Sequence, residues 1–163
     1  MTQMAERLLA GLVVVPFLLG AAAAPADKAR VVCTLQDPAI VESSGLVVVD
    51  GMIVTTNDSG DTGRVFTVDP GTGRTVGVTG WGSSPTDVEA LAPLGDHEVW
   101  AGDIGDNPES RDSIQVSPVP VGPGHTDVDA PSYDLVYPDG PHDAETLMSD
   151  PTTGRLYIAT KGV

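Results

Sequence analysis

The chain has 163 residues, with 23 acidic against 8 basic side chains and a formal net charge of −15 at pH 7. That balance argues against nucleic acid and anionic lipid as partners, because both are polyanions. It suits metal cations, basic partners or a solvated acidic surface, and 19 Gly with 14 Pro predict frequent turns in place of helices.

Met1–Arg7 is a short polar start, and an apolar run from Leu8 to Ala24 follows it. Ala24-Pro25-Ala26 fits the small-x-small pattern of a signal-peptidase site, so residues 1–26 read as a signal peptide cleaved before Asp27. An uncleaved membrane anchor is the competing reading. Pro16 inside the run and its small-residue end favour cleavage, which leaves no stable membrane insertion and a secreted product. Cys33 is the only cysteine, so the chain holds no internal disulfide.

After a lead-in from Ala29 to Leu35, the first predicted unit runs from Glu42 to about residue 80. Leu46–Val49 is a short strand, Asp50-Gly51 a two-residue hairpin signal, and Met52–Thr56 the returning strand. A loop rich in Gly and Asp spans Asn57–Gly63. Arg64–Val68 is the third strand, the Asp69-Pro70-Gly71-Thr72-Gly73 segment a turn, and Arg74–Thr79 the fourth strand.

The second unit, about 87–138, repeats this plan with longer connections. Asp87–Pro93 is its inner strand, Gly95-Asp96 the turn, and Glu98–Ala101 the return. A strand around Ser113–Val119 follows, then a linker rich in Gly, Pro and Asp, then a fourth strand at Asp134–Tyr137. A third unit, about 143–163, starts near Glu145, turns through Asp150-Pro151-Thr152-Thr153-Gly154 and re-enters a strand at Arg155–Ala159. Four short antiparallel strands repeated at a period of about 50 residues predict an all-β chain of β-propeller blades, with about two and a half blades present. A ring needs at least about four blades. The chain is therefore expected to be a piece of a longer propeller, with self-assembly or a non-propeller stack as the alternatives.

The chemistry lies in acids that recur with the units. Glu42, Glu89 and Glu145 each precede an apolar stretch, where inner strands would gather them around a central channel. Carboxylates that converge need a cation or raised pKa values, and oxygen-only ligands suit Ca²⁺ or another hard divalent ion. Hydrogen bonding to backbone N–H groups within each unit is the competing role. The loops Asp58-Ser59-Gly60-Asp61 and Asp103-Ile104-Gly105-Asp106 can wrap a cation or serve as ordinary Asx turns, and Lys161 occupies the corresponding place in the third unit. His142 beside Asp143 is a candidate general base or ligand, or a turn cap. His97 and His125 read as solvated. No nucleophile elbow, phosphate-binding Gly loop or Cys/His zinc pattern is present.

The segments 42–46 and 57–61, 87–91 and 102–107, and 142–147 with 154–161 resemble secreted bacterial β-propeller proteins of the NHL-like, SMP-30-like and phytase-like group. The resemblance implies a ring of about six blades whose central acids often bind calcium or another divalent ion. It also implies either ligand binding or hydrolysis of phosphoesters or lactones. Two functions follow as expectations. One is a secreted binding or scaffold propeller for an unidentified ligand or protein. The other is a divalent-metal-dependent hydrolase of the same architecture.

Overall fold

The computed structural model describes residues 29–82 and 84–162, and the predicted signal peptide lies outside the described residues. Contacts divide the chain into Met1–Val31 and Val32–Val163, and every strand lies in the second unit. The described residues form an all-β structure of eleven strands with no helix.

The first sheet is built from β1 (Ser43–Val49), β2 (Met52–Asn57), β3 (Arg64–Val68) and β4 (Thr75–Gly80), paired antiparallel in chain order. The β1–β2 hairpin closes through Asp50 and Gly51, with φ of 48° and 73°, the doubly positive pair of a type I′ turn. The β3–β4 turn is held by Asp69, whose carboxylate accepts the Gly71 N–H at 2.8 Å and the Thr72 hydroxyl at 2.9 Å. Asp150 does the same with Thr152 and Thr153, at 2.8 and 2.6 Å, in the hairpin of the third sheet. One local turn chemistry therefore serves two different connections.

The second sheet contains β5 (Val88–Pro93), β6 (Glu98–Asp103), β7 (Ile114–Pro120) and β9 (Tyr133–Leu135). The third contains β10 (Ala144–Ser149) and β11 (Leu156–Thr160). Two strand expectations need correction. The Gly/Pro/Asp linker contains β8 (Gly124–Asp127), which pairs parallel to β4 and extends the first sheet to five strands. It is exposed along its whole length and has no buried face to leave an apolar signature. It forms because the edge of β4 offers unpaired backbone groups. The fourth strand of the second sheet is also shorter than Asp134–Tyr137. It stops at Leu135, where the chain leaves the sheet and Tyr137 packs against the core.

The second sheet is covered on both faces. Against the first sheet lie Val88, Leu91, Val99, Ala101 and Val119, meeting Val49, Val54 and Val65. Toward the third lie Ala90, Ala92, Ile104, Ile114 and Val116, meeting Ala144 and Leu147. This explains why β5 is buried at every position but its last, whereas a strand with one solvated face would alternate.

The register fixes which positions correspond. Ser43 pairs with Asn57, Val88 with Asp103, and Ala144 with Thr160, each at the first rung of its hairpin and each followed by an irregular step. Counting from these rungs, Glu42 corresponds to Asp87 and Asp143, while Ser44 corresponds to Glu89 and Glu145. The predicted Glu series is thus out of register by two residues at Glu42. Leu91 and Leu147 are each 5 % exposed, while Leu46 at the same position in β1 is 57 % exposed.

Gly45 is where β1 lies closest to β5. A Cβ there would sit 2.7 Å from the Leu91 amide nitrogen and 2.9 Å from the Ala90 carbonyl carbon. Both are backbone atoms that no rotamer change can move. Gly45→Val should therefore force the first two sheets apart and destabilise the fold by about 3 kcal/mol or more, measured by urea unfolding. Wild-type stability in this variant would show that the sheets are not held at this spacing.

Candidate functional site

At the first rung of the first two hairpins a polar side chain ties down the chain entering the inner strand. Asn57 Oδ1 accepts the N–H groups of Val41 at 3.1 Å and Glu42 at 3.4 Å, and its Nδ2 donates to Ala39 O and Asp61 Oδ2. Asp103 repeats this in the second sheet. Its Oδ1 accepts from Asp87 N at 2.8 Å and its Oδ2 from Thr86 N at 3.0 Å. An Asn satisfies these donors as a neutral group, whereas the Asp adds a buried charge. Arg111 meets that charge, with Nη1 2.8 Å from Asp103 Oδ1 and 2.7 Å from Gly105 O.

Most of the predicted acids are engaged in the same local way. Asp61 faces Arg64 through two nitrogens, each at 2.9 Å. Burial works against its charge, yet hydrogen bonds from Arg64, Asn57 and Thr62 hold its carboxyl below the usual range. Asp106 receives the Arg111 backbone N–H on Oδ2 at 2.8 Å, and its own N–H donates to Asp143 Oδ1 at 2.8 Å. That backbone hydrogen bond, with Lys161 beside it, keeps Asp143 below the ordinary carboxylate range. Lys161 Nζ lies 2.7 Å from Asp143 Oδ2 and also contacts Glu145. Glu42 is exposed. His142 Nε2 sits 3.0 Å from Asp139 Oδ1, and its ring meets Tyr137 edge to face at 5.1 Å. His97 and His125 are exposed, the latter on β8.

One group of acids is not neutralised in this way. Asp58 follows β2 in the first sheet, Asp87 immediately precedes β5 in the second, and Glu89 is the second residue of β5. A carboxylate oxygen from each lies within 4.8 Å of the other two. The only hydrogen bond to the carboxylate of Glu89 among the described residues is a neutral one, from Ser44 Oγ to Oε2 at 3.0 Å. Burial raises the Glu89 pKa to about 7 against the lowering effect of Ser44, and the charges of Asp58, Glu145 and Asp87 push in the same direction as burial. Asp87 is raised by burial and by Asp58, Asp103 and Asp143.

Of the predicted ligand set, the structure thus brings Asp58 and Glu89 together. It leaves Glu42, Asp61, Asp103, Asp106 and Glu145 outside that group, although Glu145 is close enough to act on Glu89. Asp87 was missed, and its signal lay in the alignment of residues 87–91 with 42–46. No family model, curated protein or solved structure matches the chain, so the geometry of these residues carries the functional reading.

Proposed function

We propose that the chain is a β-propeller segment of a secreted binding or scaffold protein, in which Asp58, Asp87 and Glu89 hold a divalent cation, Ca²⁺ first among the candidates. The observation that carries the cation site is the meeting of three carboxylates from two sheets, with no cationic side chain paired to them among the described residues. The donor set fits the ion: oxygen ligands only, at charges that a hard cation would offset. Such an ion joins the first sheet to the second and supplies a positive centre to which an anionic or carbonyl group of a ligand can bind.

The propeller reading is supported by the succession of antiparallel sheets, each beginning with an inner strand, and by the shared register of their first rungs. The leucine series adds to it, since Leu91 and Leu147 are each buried between neighbouring sheets. Export is supported by the apolar run and small-residue site in residues 8–26.

Thermal melting tests the cation site. Calcium at one hundred times its dissociation constant should stabilise the protein by about 2.7 kcal/mol, a rise in Tm of roughly 10 °C. Asp87→Asn should remove most of that rise. A Tm that excess calcium, magnesium and manganese all leave unchanged would overturn the reading.

A further inference from the structure

The front of a sheet is its face toward the sheet before it in the chain, and the back is the opposite face. Each internal front carries a leucine from its inner strand, Leu91 or Leu147, buried on the back of the preceding sheet. The two end sheets leave the same kind of face open. Leu46 and Val48 stand on the front of the first sheet, and Met148 and Tyr157, paired across β10 and β11, on the back of the third. All four are between 47 % and 62 % exposed.

The open faces match in extent. Phe66 and Val68 share the front of the first sheet with Leu46 and Val48, yet they are at most 1 % exposed. The lead-in covers that side, tied to Gly73 O by the Gln36 N–H at 2.8 Å and to Asn57 Nδ2 by Ala39 O at 2.9 Å. What stays open is β1 with the start of β2, and the third sheet is a hairpin of two strands.

The charges match as well. Inside the chain, Asp58 meets Asp87 and Glu89 of the following sheet. Counting from the first rungs, Lys161 stands at the place of Asp58, and Glu42 and Ser44 at the places of Asp87 and Glu89. The back of a third sheet set on the front of a first sheet therefore brings a lysine to an exposed glutamate. The internal junction brings acid to acid. Lys161 already meets Asp143 and Glu145, but its side chain is 45 % exposed and can take a further carboxylate.

We infer that a second copy of the chain docks head to tail, the front of its first sheet on the back of the third, with Leu46 and Val48 on Met148 and Tyr157 and Glu42 on Lys161. The contact is heterologous, so a two-fold pair makes it twice. Two copies of three sheets give six, inside the range of about four to eight that a closed ring holds. One copy or three copies fall outside it. The inference rests on the propeller reading for this closure and on nothing at the cation site, so its failure leaves the calcium result standing.

Sedimentation velocity at about 0.15 M salt, which screens the acidic chains from each other beyond about 8 Å, reads the mass. A dimer is expected by about 100 μM, since interfaces of ordinary size bind in the micromolar range or tighter. Leu46→Lys and Tyr157→Lys alter opposite faces, and each should weaken the dimer at least about tenfold. Glu42→Lys, which sets a like charge against Lys161, should weaken it too. Val136→Lys, at an exposed apolar residue on neither face, should leave it unchanged. All four positions are exposed, so each variant should keep the wild-type circular dichroism. A monomer at every concentration overturns the inference. So does a dimer that only one of Leu46→Lys and Tyr157→Lys weakens, which is an isologous contact, or a mass that climbs past two chains, which is an open row of copies.

Discussion

Arg111→Met should destabilise the protein by about 3–5 kcal/mol, enough to lower Tm by more than roughly 10 °C. The Arg111 and Asp103 side chains are only 16 % and 9 % exposed, and removing the guanidinium leaves the Asp103 charge buried without a counter-ion. Asp103 cannot escape by turning away, because its two oxygens hold the Thr86 and Asp87 N–H groups at the entry to β5. The first sheet shows the remedy. Asn57, at the same rung, accepts the corresponding N–H groups with a neutral amide. Adding Asp103→Asn to Arg111→Met should therefore recover most of the loss. Chemical unfolding of the two single variants and the double variant gives the coupling, and a double variant no more stable than Arg111→Met would refute this account of Asp103.

The second large effect concerns pH. Glu89 has a folded pKa of about 7 against an ordinary value of 4.5, so between these values the folded chain binds a proton that the unfolded chain has released. Stability contributed by the protonated form is fully present below about pH 4.5 and is lost as pH rises through 7, by about 3 kcal/mol in all. Burial acts most strongly on Glu89, the Ser44 hydroxyl opposes it, and the charges of Asp58, Glu145 and Asp87 add to it. Lys161 meets only Glu145 of these acids. Asp87, also raised, works in the same direction. Asp143 and Asp61 are lowered, so their contribution is present above the ordinary Asp range and is lost as pH falls below it. The metal-free protein should be most stable near pH 5. Glu89→Gln should remove most of the decline toward pH 8 and be the more stable protein there, while binding calcium more weakly. A variant that declines as steeply as wild type would show that Glu89 is not the titrating group.

Much of the strand pattern could be read from the sequence because it has local causes. Asp50-Gly51 fixes a hairpin through its own backbone, and the runs Leu46–Val49 and Met52–Thr56, rich in β-branched residues, need only pair across it. The turns at Asp69 and Asp150 close on their own side chains. β8 was hidden because Gly-His-Thr-Asp buries nothing, and its pairing depends on an edge about 45 residues earlier in the chain.

The site was only partly legible for a related reason. The repeated acids mark the entries to the inner strands, but a sequence does not show which acids a nearby base will neutralise. Arg64 and Arg111 take Asp61 and Asp103, and Lys161 takes Asp143 and Glu145. Among the described residues, Asp58 and Glu89 lack such a partner. Asp87, passed over because its neighbour Glu89 matched Glu42 by residue type, completes the group once the strand register is known.

Isothermal calorimetry of calcium into the metal-free protein at about pH 8 tests the central claim most directly. The account predicts saturable binding of one ion per chain. It also predicts proton release that grows as pH is lowered toward 7, because Glu89 must ionise to bind. Asp87→Asn should weaken binding at least about tenfold, while Asp61→Asn, outside the group, leaves it in place. The absence of saturable heat, or binding that Asp87→Asn leaves unchanged, would contradict it.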